Sequence, residues 1–227
     1  GSGNQTVNLD VKFQMSTMVY DTIAATSNVV FDLDTNKWSS TAGGDFVVNG
    51  TLELVDSSFI DGLGNFALNP GSTIKIGSPH GINSTSSLGN IKVDGSRIFS
   101  TESNYEYKSN IPQLFGDGLP ISLNGFSINN INGFLLDRDL NVISLLNIIN
   151  GDLDLNGFTI TLGSNAVLTE SSGNTIKGST GKINITRDIN APSSLNVGGL
   201  GATITSSTNL GSTTIERYHY IPSGGGA

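Results

Sequence analysis

Apolar and polar side chains alternate in short runs along this chain, and a turn residue followed by glycine precedes most runs. Asn49-Gly50-Thr51-Leu52-Glu53-Leu54 is the first clear copy, followed by Pro70-Gly71-Ser72-Thr73-Ile74-Lys75-Ile76 and Asp94-Gly95-Ser96-Arg97-Ile98-Phe99. Asn124-Gly125-Phe126-Ser127-Ile128, Asn150-Gly151-Asp152-Leu153-Asp154-Leu155, Asn156-Gly157-Phe158-Thr159-Ile160-Thr161-Leu162 and Gly181-Lys182-Ile183-Asn184-Ile185 repeat the template. A period of two puts every second side chain on one face of a strand. Leu52 with Leu54, Ile74 with Ile76 and Leu153 with Leu155 are therefore predicted to point inward, and Glu53, Lys75 and Asp154 outward. Asn or Asp before Gly closes a corner, because these residues tolerate a positive φ.

One such unit has too little apolar face to fold alone, so the units must stack and share a core. The copies recur at uneven intervals of roughly 15 to 30 residues, unlike a tight hexapeptide repeat. The pattern predicts an all-β fold, an irregular right-handed parallel β-helix (β-solenoid). The alternative is a β-sandwich that uses Asn-Gly as hairpin turns. Residues 1–40 read as an N-terminal strand and capping segment. Val7, Leu9, Val11 and Phe13 alternate there, and Met15, Met18, Tyr20 and the single Trp38 follow. Residues 41–190 read as the coils. Residues 191–227, rich in Gly, Ser and Thr and strand-like at Thr213 to Ile221, read as a closing segment and a truncated linker to a following domain. The stretch Ser100 to Gly118 reads as a protruding loop.

Composition agrees with strands and corners. Charged residues make up 13% of the chain and hydrophobic ones 36%, with 29 glycines, and the remaining polar positions are largely Asn, Ser and Thr. Exposed helices draw instead on Glu, Lys, Arg and Ala. The net charge of −8 and the lack of any basic stretch exclude nucleic acid as a partner, since phosphate binding needs clustered Lys and Arg. With no cysteine, disulfides and thiolate metal sites are ruled out. The most apolar run, Phe134 to Ile149, is broken by Asp137, Arg138 and Asp139 and is shorter than the roughly 20 residues of a membrane span. The ends, Gly1 to Asn4 and Gly224 to Ala227, read as cuts within a longer chain.

Several segments resemble one family. Phe66-Ala67-Leu68-Asn69-Pro70-Gly71-Ser72-Thr73-Ile74-Lys75-Ile76-Gly77-Ser78-Pro79 with Gly81-Ile82, then Gly89-Asn90-Ile91, Arg97-Ile98-Phe99-Ser100 and Asn104-Tyr105-Glu106-Tyr107, are similar to β-helical segments of large secreted and cell-surface proteins of the Bacteroidota. Leu155 to Ala166 resembles that family's coil, and Ala191 to Ala202 with Ile204-Thr205 and Asn209-Leu210-Gly211 resembles its closing segment. The resemblance spans roughly residues 45 to 220. It implies a module of a protein exported by type IX secretion, with neighbouring domains in a longer chain and an extracellular location, and it says little about activity.

Candidate chemistry is sparse. Asp152-Leu153-Asp154-Leu155-Asn156-Gly157 opens like a calcium loop, with Asp152, Asp154 and Asn156 as ligands. The twelfth position, which should be a bidentate Glu, is Gly163, and the leucines fit the strand template. Outward polar positions on a coil are the competing reading, and calcium is the one cofactor left open. Asp32 and Asp34, two residues apart, share a strand face, and paired acids suit the general acid–base cleavage of polysaccharides; a solvated turn accounts for them as well. Asp137-Arg138-Asp139 reads as a corner. His80 and His219 are isolated, with neither a metal cluster nor a triad around them. Tyr105, Tyr107 and Phe115 are the candidate binding residues: exposed on a loop they would stack on sugar rings or anchor a partner, and otherwise they pack over the solenoid side.

Together these features predict a non-catalytic structural or adhesive module, a shaft with weak glycan contacts, whose partners are neighbouring domains, glycans or other surface proteins. The alternatives are a polysaccharide lyase or hydrolase on the same fold and a calcium-dependent binding module.

Overall fold

A computed structural model describes residues 3–7, 13–15, 21–31, 37–40, 43–85 and 87–219. They form a β-solenoid of about seven turns, nearly all strand and mostly parallel. On its first face, Gly3 pairs with Ser27, Asn28 with Thr51, Thr51 with Thr73, Thr73 with Asn104, Asn104 with Gly125, Gly125 with Leu145 and Leu145 with Val167. Each step consumes between 20 and 24 residues except Thr73 to Asn104, which takes 31. At the usual spacing between strands, the stack rises about 35 Å.

The early turns visit three faces in order, as Thr51–Leu54, Phe59–Gly62 and Phe66–Leu68 do. In later turns the third and first faces merge into long strands, Ser122–Asn129 and Leu140–Asn150, with a register shift between Leu123 and Gly125 where the strand bends. Opposite Leu140–Asn150, two short strands, Thr159–Leu162 and Val167–Glu170, pair end to end. The second face of these turns is a separate sheet of two-residue strands, Gln113–Leu114, Phe134–Leu135, Leu153–Asp154 and Ile176–Lys177.

This geometry explains the uneven spacing of the sequence template. The copies at Leu52, Ile74 and Phe126 lie on the first face, that at Leu153 on the second, and those at Ile98, Ile160 and Ile183 on the third. The template marks any corner that leads into a strand, not one fixed position per turn. Gly151 shows why some corners require glycine: its φ is +73°, and a Cβ there would lie 1.8 Å from the Asn130 carbonyl oxygen.

Inward positions form ladders along the axis. Leu52, Ile74, Tyr105, Phe126, Leu146 and Leu168 are in register on successive turns, all at most 3% exposed. Corners carry amide ladders: Asn69 Nδ2 donates to Asn49 Oδ1 at 2.7 Å, Asn124 Nδ2 to Asn104 Oδ1 at 3.0 Å and Asn150 Nδ2 to Asn129 Oδ1 at 2.6 Å. These bonds tie each corner to the next along the stack.

The strands described within residues 1–40 pair in parallel with those that follow. They are coils of the solenoid, not the distinct capping element expected from the sequence; Trp38, 4% exposed, packs edge-on against Phe46 with ring centroids 5.1 Å apart. The Val7–Phe13 alternation reaches side chains outside the described residues. It is the other end that is visibly closed. After the Lys182–Asn190 strand the chain crosses the core end, burying Val197 and Leu200, and returns as the antiparallel strand Asn209–Tyr218. This strap occupies the edge that another parallel coil would need.

A clasp holds the strap: Arg217 donates to both carboxylate oxygens of Glu170, at 2.8 and 3.1 Å. Partial burial alone would raise the Glu170 pKa, but the Arg217 guanidinium, the Ile176 N–H and the Thr175 hydroxyl together hold it below the ordinary value. A carboxyl group lowered in the folded state stabilises it above the unfolded pKa, about 4.3, and that stabilisation is lost as pH falls through the folded value. Acidification below about pH 4 is therefore expected to open the strap first. Amide exchange at Ile215 and Arg217 should accelerate before that at Ile148, and Glu170→Gln should flatten this pH dependence.

Candidate binding groove

The outer side of the two-residue-strand sheet is concave. Alternation buries Gln113, Phe134, Leu153 and Ile176 and turns Leu114, Leu135, Asp154 and Lys177 outward on successive turns. The groove along this row has a volume of about 420 Å³. Leu114 and Leu135, 39% and 36% exposed, form an apolar floor. Pro79, His80 and Pro112 bound one end, and Asp152, Asp154 and Lys177 the other. Pro79 and His80 reach the groove because the long turn makes an excursion after Ile76, where the Leu114 N–H donates to the Pro79 carbonyl at 2.9 Å.

The polar rim is already bonded. Asp152 Oδ2 lies 3.2 Å from Lys177 Nζ, and its Oδ1 accepts the Thr175 N–H at 3.0 Å. Asp154 Oδ1 accepts the Asn156 N–H at 2.8 Å, and Asn156 Nδ2 donates to the Leu136 carbonyl at 3.1 Å. Of the three residues expected to ligate calcium, Asp152 and Asp154 thus lie on the rim. Asn156, with φ +49°, closes the next corner. Among the described residues no group of three or more His, Asp or Glu side chains is placed to hold a metal ion.

The expected aromatic binding loop is corrected by the structure. Tyr105, Tyr107 and Phe115 are 1%, 0% and 0% exposed. Asn104-Tyr105-Glu106-Tyr107 is a first-face strand in register with Thr73-Ile74-Lys75-Ile76, so both tyrosines fill positions held by isoleucines one turn earlier. Their hydroxyls end on carbonyls, Tyr105 on Ser100 at 2.7 Å and Tyr107 on Phe115, and burial raises the pKa of both phenols. Phe115 stacks on Tyr107 at 5.7 Å and meets Phe126 edge-on at 5.8 Å.

Asp32 and Asp34 lie outside the described residues. Asp137 and Asp139 are corner acceptors, for the Gly116 N–H at 3.0 Å and the Thr159 N–H at 2.7 Å. His219 lies at the end of the strap, where burial and then the Arg217 charge lower its pKa. The groove residues that sequence reasoning missed are Pro79, Pro112, Leu114, Leu135 and Lys177. A strand of two residues shows no alternation, so nothing in Gln113-Leu114-Phe115 or Phe134-Leu135-Leu136 marks the middle leucine as outward.

No protein-family model, curated protein or solved structure matches the chain. No helix among the described residues is long and apolar enough to cross a membrane.

Proposed function

We propose that this chain is a rigid, adhesive shaft module of a secreted bacterial surface protein, non-catalytic, with weak glycan contacts along the groove. The observation that carries this reading is the uninterrupted core from Ile23 and Trp38 to Val197 and Leu200, which makes a stiff rod out of units that could not fold singly. Charges across neighbouring turns are mutually engaged: Lys75 lies 3.7 Å from Glu53 and 3.4 Å from Glu106, and Lys182 lies 2.7 Å from Glu216. Such surface pairs contribute little to stability, but they tie one turn to the next along the outside of the rod. The extracellular location, type IX export, neighbouring domains and Bacteroidota origin rest on the sequence resemblance.

The groove suits an extended, uncharged polymer: apolar sugar faces would lie on Leu114 and Leu135, and hydroxyls would meet Asp154 and Lys177. The test is a panel of soluble and insoluble glycans, with and without calcium, scored for retention and for new chain ends. Retention without new ends, weakened by Leu135→Asp, is expected. New ends that disappear in Asp154→Asn would replace the shaft with the second reading, a polysaccharide-cleaving enzyme, which the two carboxylates on the groove rim favour. Retention that requires calcium would instead make it a calcium-dependent module.

A further inference from the structure

The strap strand Asn209–Tyr218 ends the main sheet, and its second edge is unpaired among the described residues. In an antiparallel pair, successive residues alternately bond the partner strand and direct their N–H and C=O the opposite way. The His219 N–H donates to the Gly181 carbonyl at 3.0 Å, and the register runs from Lys182–Tyr218 to Ile189–Gly211. Gly211, Thr213, Ile215 and Arg217 therefore face Lys182–Asn190. Ser212, Thr214, Glu216 and Tyr218 turn their backbone groups to the open edge, and all four are exposed.

Proteins usually blunt such an edge with proline, unpaired charge, short length or a bulge along it. This strand is 10 residues long, contains no proline, and has its single register shift at the far end, near Leu210. Its two charged side chains are bound within the chain, Glu216 to Lys182 and Arg217 to Glu170. We propose that this edge pairs with the same edge of a second copy, joining two shafts end to end through a continuous sheet.

Orientation and charge both select a second copy as the occupant. Two identical edges related by a two-fold axis are necessarily antiparallel, which is the pairing this strand already makes on its other side. A register centred on Thr214 sets Glu216 across from the second copy's Ser212, and Leu210 across from its Tyr218. Those last two side chains are 40% and 58% exposed in the single chain. Centring on Glu216 would instead oppose two carboxylates, which is destabilising.

Sedimentation equilibrium of the chain from micromolar to millimolar concentration tests the proposal. The expected mass rises from 23.7 kDa towards about twice that value and stops there, as a closed two-fold assembly must. The Thr214 N–H points to the open edge, so Thr214→Pro removes a backbone donor from the dimer and no backbone bond from the pairing with Lys182–Asn190, which loses only the exposed Thr186 Oγ1–Thr214 Oγ1 contact of 2.8 Å. This variant is expected to stay at 23.7 kDa throughout, with circular dichroism and amide protection of Ile183 and Ile185 unchanged. Thr214→Lys, which opposes two cations at the axis, should behave alike. A wild-type chain that stays monomeric, a Thr214→Pro chain that still dimerises, or growth beyond the dimer would each overturn the proposal.

Discussion

Phe115→Ala is expected to lower the unfolding free energy by about 3–5 kcal/mol, the usual cost of truncating a core aromatic. Phe115 has no exposed surface and sits between Tyr107 and Phe126, with the Arg138 guanidinium 5.6 Å from its ring centre. Tyr107 and Phe126 in turn meet Phe134 at 4.6 and 5.5 Å. Alanine would leave a cavity that rings fixed on two successive turns cannot collapse to fill. In urea the midpoint should fall with an unchanged slope, and the folded fraction should retain glycans as the wild type does. Tyr105→Phe, which removes only the hydroxyl bond to the Ser100 carbonyl, should cost about 1 kcal/mol. The opposite result is equally informative: a surface aromatic that binds ligand would change stability by less than about 0.5 kcal/mol and would lose retention.

How much of this was legible in the sequence depended on strand length. Where a strand has four or more residues, as at Thr51–Leu54, Thr73–Ile76 or Thr159–Leu162, alternation and the preceding corner were both visible, and the solenoid followed from them. The tyrosines had the same alternation. The sequence leaves them open between surface and core because a phenol is amphipathic: its polar end suits water, and a carbonyl within reach satisfies it just as well. The merged third and first faces were not visible, because the bend between Leu123 and Gly125 breaks the period of two without a Pro to mark it. The groove was hidden for a related reason: its floor is the outward row of two-residue strands, and which of two adjacent apolar residues faces the core is decided by the neighbouring turns. The excursion after Ile76 that carries Pro79 and His80 to the groove is likewise a tertiary fact, held by contacts distant in sequence.

One residue does much of that holding, and its replacement is the second large effect. Asn90 is fully buried; its Nδ2 donates to the carbonyls of Val55 at 3.0 Å and Ser58 at 2.6 Å, and its Oδ1 accepts the Ser78 N–H at 2.8 Å. It thereby ties the corner before Phe59–Gly62 to both ends of the excursion. Asn90→Ala leaves the Ser78 N–H without this acceptor and takes one donor each from the Ser58 and Val55 carbonyls, of which Val55 still accepts the Ser58 N–H at 3.0 Å. The stranded N–H costs about 1–3 kcal/mol and each lost carbonyl bond less, so with any water that enters the expected loss is about 3 kcal/mol. Asn90→Asp has nearly the same shape and separates hydrogen bonding from packing. The carboxylate keeps the acceptor for the Ser78 N–H but presents negative charge to two carbonyl oxygens, so its pKa in the folded chain must rise. A carboxyl group raised by folding is tolerated best below its unfolded pKa, about 3.9, and stability then falls as pH climbs to the folded value. The melting temperature of Asn90→Asp should therefore drop between about pH 4 and 7 relative to wild type. A parallel shift at every pH would mean that water reaches the site, and that the excursion is held by packing rather than by this amide.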